Sequence, residues 1–305
     1  MGFADSMRID PAYAPRLRRC GLDRVGAVLE RTDGQVVAWS RTTDTVYIAD
    51  PAGEPGFYVK RYHYPRWKNR TRAALRGTLL GAHRGLAEFR LLRRMIRLGL
   101  PAVRPVACGA RRVAGFVSAC FLITEEVPGA CNLTTFAAEL HSGRRRLPAA
   151  MRRQLVRRLA RQVRELHETG FQHRQLFWRN LLVRFDLLDR GEFFFLDPRP
   201  VRAGRRVIPR DFWVRELAQL AVSAMPFTTR SERLRFLLDY FQIPRATPEL
   251  KTHMRQIERH AGRWDAHERQ RIRMNALFEH FHRRLREEGP SPGIDAVSAT
   301  AERVP

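Results

Sequence analysis

Residues 173–180 read His-Arg-Gln-Leu-Phe-Trp-Arg-Asn, and a run of four apolar residues, Phe193-Phe194-Phe195-Leu196, then delivers a single carboxylate, Asp197. Few arrangements use such a pair. A polar loop ends in a carboxamide, Asn180, a hydrophobic hairpin follows, and the second strand of that hairpin carries an acid to its tip. The strand signal is the apolar run bounded by charged and glycine residues, and its consequence is that Asn180 and Asp197 are brought back to the same place.

The pattern resembles the catalytic loop of protein kinases, H-R-D-L-x-x-x-N, followed one hairpin later by a metal-binding Asp. His173, Arg174, Leu176 and Asn180 stand at the matching offsets. The third position departs from it. Where that loop places the aspartate that receives the acceptor hydroxyl, this chain has Gln175.

The chain has 305 residues, 44% of them hydrophobic, enough to bury a sizeable core in two lobes. No apolar run reaches the roughly 18–20 residues that span a bilayer, and the first residues lack the pattern of a secretory signal. Cys20, Cys108, Cys120 and Cys131 show no paired C-x-x-C spacing, which favours reduced thiols over a zinc site. A net charge of +25 demands a polyanionic partner. Nucleic acid satisfies charge alone, but the arginines are scattered over many segments and no recognition motif accompanies them, so no specific nucleic acid is expected.

Arginine supplies all but three of the 56 basic residues; the lysines are Lys60, Lys68 and Lys251. That bias makes Lys60 informative. It lies in the alternating stretch Phe57-Tyr58-Val59-Lys60-Arg61-Tyr62, where a merely solvated cation in this chain is nearly always arginine. A kinase fold requires a lysine in such a strand, because a compact ammonium reaches the α/β-phosphates while pairing with a helix glutamate. Leu86, Phe89 and Ile96 trace a helical stripe over 86–98, and Glu88 is the acid of that helix. It is the expected partner of Lys60.

Residues 18–62 read as β-rich hairpins, with Val36–Trp39 and Thr45–Ile48 flanking a turn at 40–44. No glycine-rich phosphate loop occurs there, so Arg41, Thr42 and Thr43 are the candidates to meet the phosphates. Strands are expected at 103–110 and 116–124, and the break at Glu125-Glu126-Val127-Pro128-Gly129 suits an interlobe hinge, with Glu125 and Val127 offering backbone groups to an adenine. Met151, Leu155, Leu159, Val163 and Leu166 give a strong helix over 151–167. With the arginines of 65–76 and 143–146, its basic faces suit anionic headgroups. A further helix begins at Arg215 and is expected to hold the catalytic loop from below. Residues 250–288 read as basic helix broken near Gly262. His253, His260 and His267 recur at intervals that rise about 10 Å along a helix, too far to share one metal.

The ordered set Lys60, Glu88, Glu125–Pro128, His173–Asn180 and Asp197 resembles the lipopolysaccharide kinase family, the bacterial core heptose and Kdo kinases. The resemblance covers roughly residues 36–242 and includes Leu98-Gly99-Leu100-Pro101, Leu166-His167 and Arg215–Leu220, where the family usually carries Asp at the place of Glu216. It implies an α+β, bilobal protein-kinase-like fold. The β-rich N-lobe would take residues 1–124, the mostly helical C-lobe 125–288, and a disordered tail 289–305. It also implies ATP and Mg2+ as cofactors, and a lipid-linked saccharide acceptor at an anionic membrane surface. The location would be cytoplasmic, peripheral to the inner face of the cytoplasmic membrane. Lys60 would hold the phosphates, Glu88 would fix Lys60, and Asn180 and Asp197 would bind metal. His173 and Gln175 complete the catalytic set.

Two functions then compete. One is a slow but genuine glycolipid kinase; the other is a pseudokinase scaffold that binds nucleotide without efficient transfer. The absence of Ser, Thr and Tyr from Pro198 to Arg215 removes the phosphorylatable segment of a regulated protein kinase.

Overall fold

The computed structural model describes residues 3–40, 42–64, 82–185, 191–200 and 211–274. The chain divides into two units, Met1–Ala261 and Gly262–Pro305. In the second, residues 265–274 are helical after a turn at 262–264, with Arg269 paired to Asp265 one helical turn away.

The first unit begins with an antiparallel six-stranded sheet in the order β1-β5-β6-β4-β3-β2. Its strands are β1 (Phe3–Ile9), β2 (Gln35–Ser40), β3 (Thr43–Ile48), β4 (Phe57–His63), β5 (Pro105–Val113) and β6 (Phe116–Glu125). The alternation in β4 sorts its side chains onto two faces. Phe57 and Val59 join a core with Val46, Ile48, Phe121 and Ile123, while Lys60 and Tyr62 point to the opposite face.

Two short helices, α1 (Ala14–Arg19) and α2 (Val25–Leu29), cover the first of these faces through Leu17, Leu22, Val25 and Val28. Residues 18–31 are therefore helix and turn rather than hairpin. The apolar positions in this segment recur every three to five residues, a helical spacing that the expectation of strands passed over.

The second face carries α3 (Arg84–Arg97), which lies on β5 and β6. Gly85 sets how closely: a Cβ there would meet the Phe121 carbonyl oxygen at 2.2 Å, so only glycine lets the helix settle against β6. The face it buries is Phe89, Leu92 and Met95, together with Glu88; Ile96, assigned to the stripe from spacing, is 36% exposed. Three and seven residues on from Gly85 lie Glu88 and Leu92, and this line faces the sheet.

The remainder of the unit is mainly helical. After β7 (Cys131–Asn132) come α4 (Leu133–His141) and α5 (Ala149–Glu168), then the hairpin β8 (Leu181–Phe185) and β9 (Gly191–Phe195). Next follow α6 (Phe212–Ala224), α7 (Arg230–Phe241) and α8 (Pro248–Ala261). Strands β7, β8 and β9 form a small second sheet. Leu155, Leu159, Val163 and Leu166 of α5 are buried, each contributing about 1.5–3 kcal/mol relative to exposure. Helix α7 starts in a reciprocal capping box between Thr229 and Glu232, and Glu232 also pairs with Arg152 of α5. The basic face of α5 is thus not all solvated: Arg157 and Arg164 also lie beside acids, Asp239 at 3.7 Å and Glu168 at 3.2 Å. Among the described residues, no helix is long and apolar enough to cross a membrane.

Candidate active site

Lys60 stands on β4 beneath α3, and its ammonium meets Glu88 at 3.2 Å on one carboxylate oxygen and 3.4 Å on the other. It also pairs directly with Asp197, a residue far away in sequence. Lys60 and Asp197 side chains are 18% and 28% exposed, so a ligand arriving from solvent can touch both. Tyr62 faces the same way two residues on and donates its hydroxyl to Glu88 at 2.5 Å. Sequence reasoning overlooked Tyr62, although its i+2 relation to Lys60 in an alternating strand placed it on the same face.

Several tethers bring Asp197 here. The Phe195 amide donates to the Pro101 carbonyl at 2.9 Å, the Leu196 amide to the Asn180 carbonyl at 3.1 Å, and the Arg199 amide to the His173 carbonyl at 3.0 Å. The chain is thereby pinned on both sides of the carboxylate. Asp197 has φ of +64°, and Arg174 in the loop beside it also has φ of +64°. Non-glycine residues rarely take that conformation, which is held where surrounding bonds over-determine it.

The loop 173–180 is held from α6. The Arg174 amide donates to Glu216 at 2.6 Å, and the Leu176 amide donates to Gln219 Oε1 at 2.8 Å. Glu216 further meets His167 Nε2 at 3.2 Å, and His167 Nδ1 lies 2.8 Å from the Tyr240 hydroxyl. Helix α6 therefore does anchor the loop from below, through a buried polar chain that reaches α5 and α7. Glu216→Ala would remove the acceptor of the half-buried Arg174 amide. The expected cost is about 1–3 kcal/mol, read as a fall in the urea midpoint, whereas Glu216→Gln should lose less because its amide oxygen can still accept.

His173 is fully buried against Phe195, and burial lowers its pKa despite the opposing pull of Glu216 and Asp197. Asn180 is 5% exposed, and its Nδ2 donates to the Gln175 carbonyl at 2.8 Å. That bond engages the amide nitrogen and leaves Oδ1 without a partner among the described residues. The Gln175 carbonyl also accepts from the Phe177 amide at 2.8 Å, so the backbone at 175 is fixed, while the Gln175 side chain has no hydrogen bond among the described residues.

The charges in this cluster act on one another. Burial pushes Glu88 up to about 7; Lys60 opposes the rise and Asp197 adds to it. Burial would raise Asp197 as well, but Lys60 overrides it and holds that carboxyl well below the usual range. The sign for Glu88 follows from a folded pKa above its ordinary 4.5. Its contribution to stability is full below about 4.5 and is lost as pH rises through about 7. Denaturation of the wild type and of Glu88→Gln between pH 5 and 8 should show the difference moving in favour of the Gln variant as pH rises; parallel curves would contradict the assignment.

The remaining candidates are distributed as follows. Thr43 opens β3 and pairs with Ser40 across a turn tighter than expected; the Thr42 carbonyl accepts from the His63 amide at 2.9 Å, and Arg41 lies outside the described residues. Thr43 lies opposite Tyr62 in the β3–β4 register, but among the described residues no side-chain hydrogen bond joins Thr42 or Thr43 to Lys60, Glu88 or Asp197. Glu125 ends β6 with its amide donating to the Arg104 carbonyl at 2.9 Å, and its carboxylate accepts from Tyr13 at 2.7 Å and Arg16 at 2.6 Å. The Val127 carbonyl accepts from the Ala130 amide at 3.1 Å. Of the two backbone amides, the one at Glu125 is committed and the one at Val127 makes no hydrogen bond among the described residues. Glu192 pairs with Arg184 at 2.7 Å, while Asp186, Asp189, the arginines of 65–76 and the 289–305 tail lie outside the described residues.

Comparison with known proteins agrees with this arrangement. The family model described as lipopolysaccharide kinase (Kdo/WaaP) matches residues 24–240, well over half the chain and including Lys60, Glu88, the 173–180 loop and Asp197. The chain belongs to the lipopolysaccharide kinase family. Among curated proteins it is similar to the lipopolysaccharide core heptose(I) kinase WaaP of Pseudomonas aeruginosa, 28% identical over 194 residues, 62% of this chain and 70% of that protein. It is also similar to the 3-deoxy-D-manno-octulosonic acid kinase of Haemophilus influenzae, 27% identical over 156 residues, 49% of this chain and 60% of that protein. Among solved structures, WaaP in complex with acyl carrier protein has the same fold, with a TM-score of 0.57 and 22% identity over 88% of this chain and 99% of that one. The α+β, protein-kinase-like architecture expected from the sequence is thus the architecture of this member of the lipopolysaccharide kinase family.

Proposed function

We propose that this lipopolysaccharide kinase family member transfers the γ-phosphoryl group of ATP to a sugar hydroxyl of a lipid-linked saccharide, a heptose or Kdo of the lipopolysaccharide core. The observation that carries the reading is Lys60 bound at once by Glu88 from helix α3 and by Asp197 just after strand β9. Three charges distant in sequence have no packing reason to converge in a partly exposed place. Triphosphate binding gives them one. In this reading the two lobes meet after residue 124, and the enzyme works at the inner face of the cytoplasmic membrane, where its charge of +25 favours anionic lipid.

The donor set suits magnesium: the Asp197 carboxylate and the Asn180 amide oxygen are hard oxygen ligands, and both are positioned by the same hydrogen bond from Leu196 to Asn180. When bound, the ion supplies charge neutralisation along the β- and γ-phosphates. Lys60 exchanges its Asp197 contact for α/β-phosphate oxygens, and Glu88 keeps the ammonium from swinging away. Gln175 accepts a hydrogen bond from the acceptor hydroxyl and orients it, without taking its proton at neutral pH. Because the transition state is loose, positioning and charge supply most of the rate. A pseudokinase is the second reading, and the missing carboxylate at 175 is what favours it.

Isothermal titration of ATP with and without magnesium, followed by a screen of heptose- and Kdo-bearing acceptors, tests the proposal. Magnesium-dependent binding with turnover on one acceptor class is expected. Binding without turnover on any acceptor would favour the pseudokinase, and no binding would end both readings.

A further inference from the structure

Arg84 has no part in the assignments above, yet it stands at the site. It opens α3 directly after His83, whose Nδ1 accepts from the Leu86 amide at 3.2 Å. A cation at the positive end of a helix opposes the macrodipole, so helix stability does not account for it. Its guanidinium carbon lies 4.4 Å from the centre of the Tyr62 ring. Lys60 Nζ lies 5.4 Å from the same centre. One buried ring therefore seats two cations, and its hydroxyl is fixed on Glu88.

The two cations differ in what neutralises them. Lys60 has both Glu88 and Asp197. Arg84 has no hydrogen bond or ion pair from its guanidinium among the described residues and is exposed to solvent. With both carboxylates ionised the four groups balance, and Arg84 is the cation held by stacking with its donors unspent. A planar fork of donors with no internal partner, seated on the same ring as the Lys60 ammonium, fits the oxygens of a phosphoryl group.

We propose that Arg84 is a further phosphate-binding residue of this site, reaching from its seat on Tyr62 to the γ-phosphoryl group and neutralising charge there during transfer, while Lys60 serves the inner phosphates. The inference rests on the ATP-dependent reading given above. It divides the nucleotide between two cations, so removing one should affect ATP and ADP differently.

The test is titration of the magnesium complexes of ADP and of a non-hydrolysable ATP analogue into wild type, Arg84→Met and Arg84→Lys. The methionine keeps an apolar stem over Tyr62 and removes the charge; the lysine keeps charge without the fork. Arg84→Met should weaken the ATP analogue about 10- to 100-fold and leave ADP within about twofold, with Arg84→Lys in between. Equal weakening of both nucleotides, or no weakening, overturns the proposal while leaving the kinase reading intact. If wild type binds neither nucleotide, the kinase reading itself falls and takes this one with it. Unfolding temperature, measured in parallel, should be nearly unchanged because Arg84 is exposed.

Discussion

Asp197→Ala should abolish the proposed magnesium-dependent phosphotransfer, with turnover falling by at least about 10³-fold. The carboxylate holds Lys60 in the free protein and is the only fully charged member of the proposed metal pair; Asn180 contributes an amide oxygen alone. Its loss removes both functions at once. Folding should survive, since the side chain is 28% exposed and lies after β9 rather than within it. A second readout separates a chemical role from a structural one. With Asp197 gone, one cause of the raised Glu88 pKa disappears and Lys60 is left to Glu88 alone, so the stability loss through about pH 7 should flatten. Turnover measured with wild-type and variant protein on the same acceptor decides the matter: equal rates would remove Asp197 from the reaction.

The same cluster shows what could be read from the chain. Lys60 was legible because arginine is so dominant that a lysine in an alternating strand stands out, and Glu88 because it is the acid of a basic helix. Asp197 and Asn180 were legible through spacing. Tyr62 and Arg84 were not, because nothing in one dimension says that a strand residue and the first residue of a distant helix share a ring and a charge. Their meeting depends on Gly85 letting α3 close on the Phe121 carbonyl. The α2 helix was misjudged as hairpin because it is only five residues long, too short to show a stripe against the strands that follow. Helix α7 passed unread, although Thr229 and Glu232 stood at capping-box spacing. The end of β6 at Glu125 was visible as a pattern break; that its amide is committed to Arg104 was not.

Gln175→Asp should raise turnover by about 10²-fold or more. The structure makes this substitution unusually clean. The backbone at 175 is fixed by the bonds its carbonyl accepts from Phe177 and from Asn180 Nδ2, and the next amide is held by Gln219. Because the Gln175 side chain has no hydrogen bond among the described residues, shortening it breaks none, and stability should change by no more than about 0.5 kcal/mol. What changes is chemistry: an amide oxygen that can only accept a hydrogen bond becomes a carboxylate that can take the proton as the new P–O bond forms. The gain should hold at neutral pH and fade as pH drops toward about 4, where a carboxylate of ordinary pKa protonates. Wild type, lacking that group, should show no such limb. Single-turnover rates for both proteins across pH 4–8 supply the comparison. A gain with the acidic limb means that proton removal was what slowed an otherwise complete enzyme. If nucleotide binds and neither protein transfers phosphate, positioning around Lys60 and Asp197 serves binding alone, and the pseudokinase reading stands.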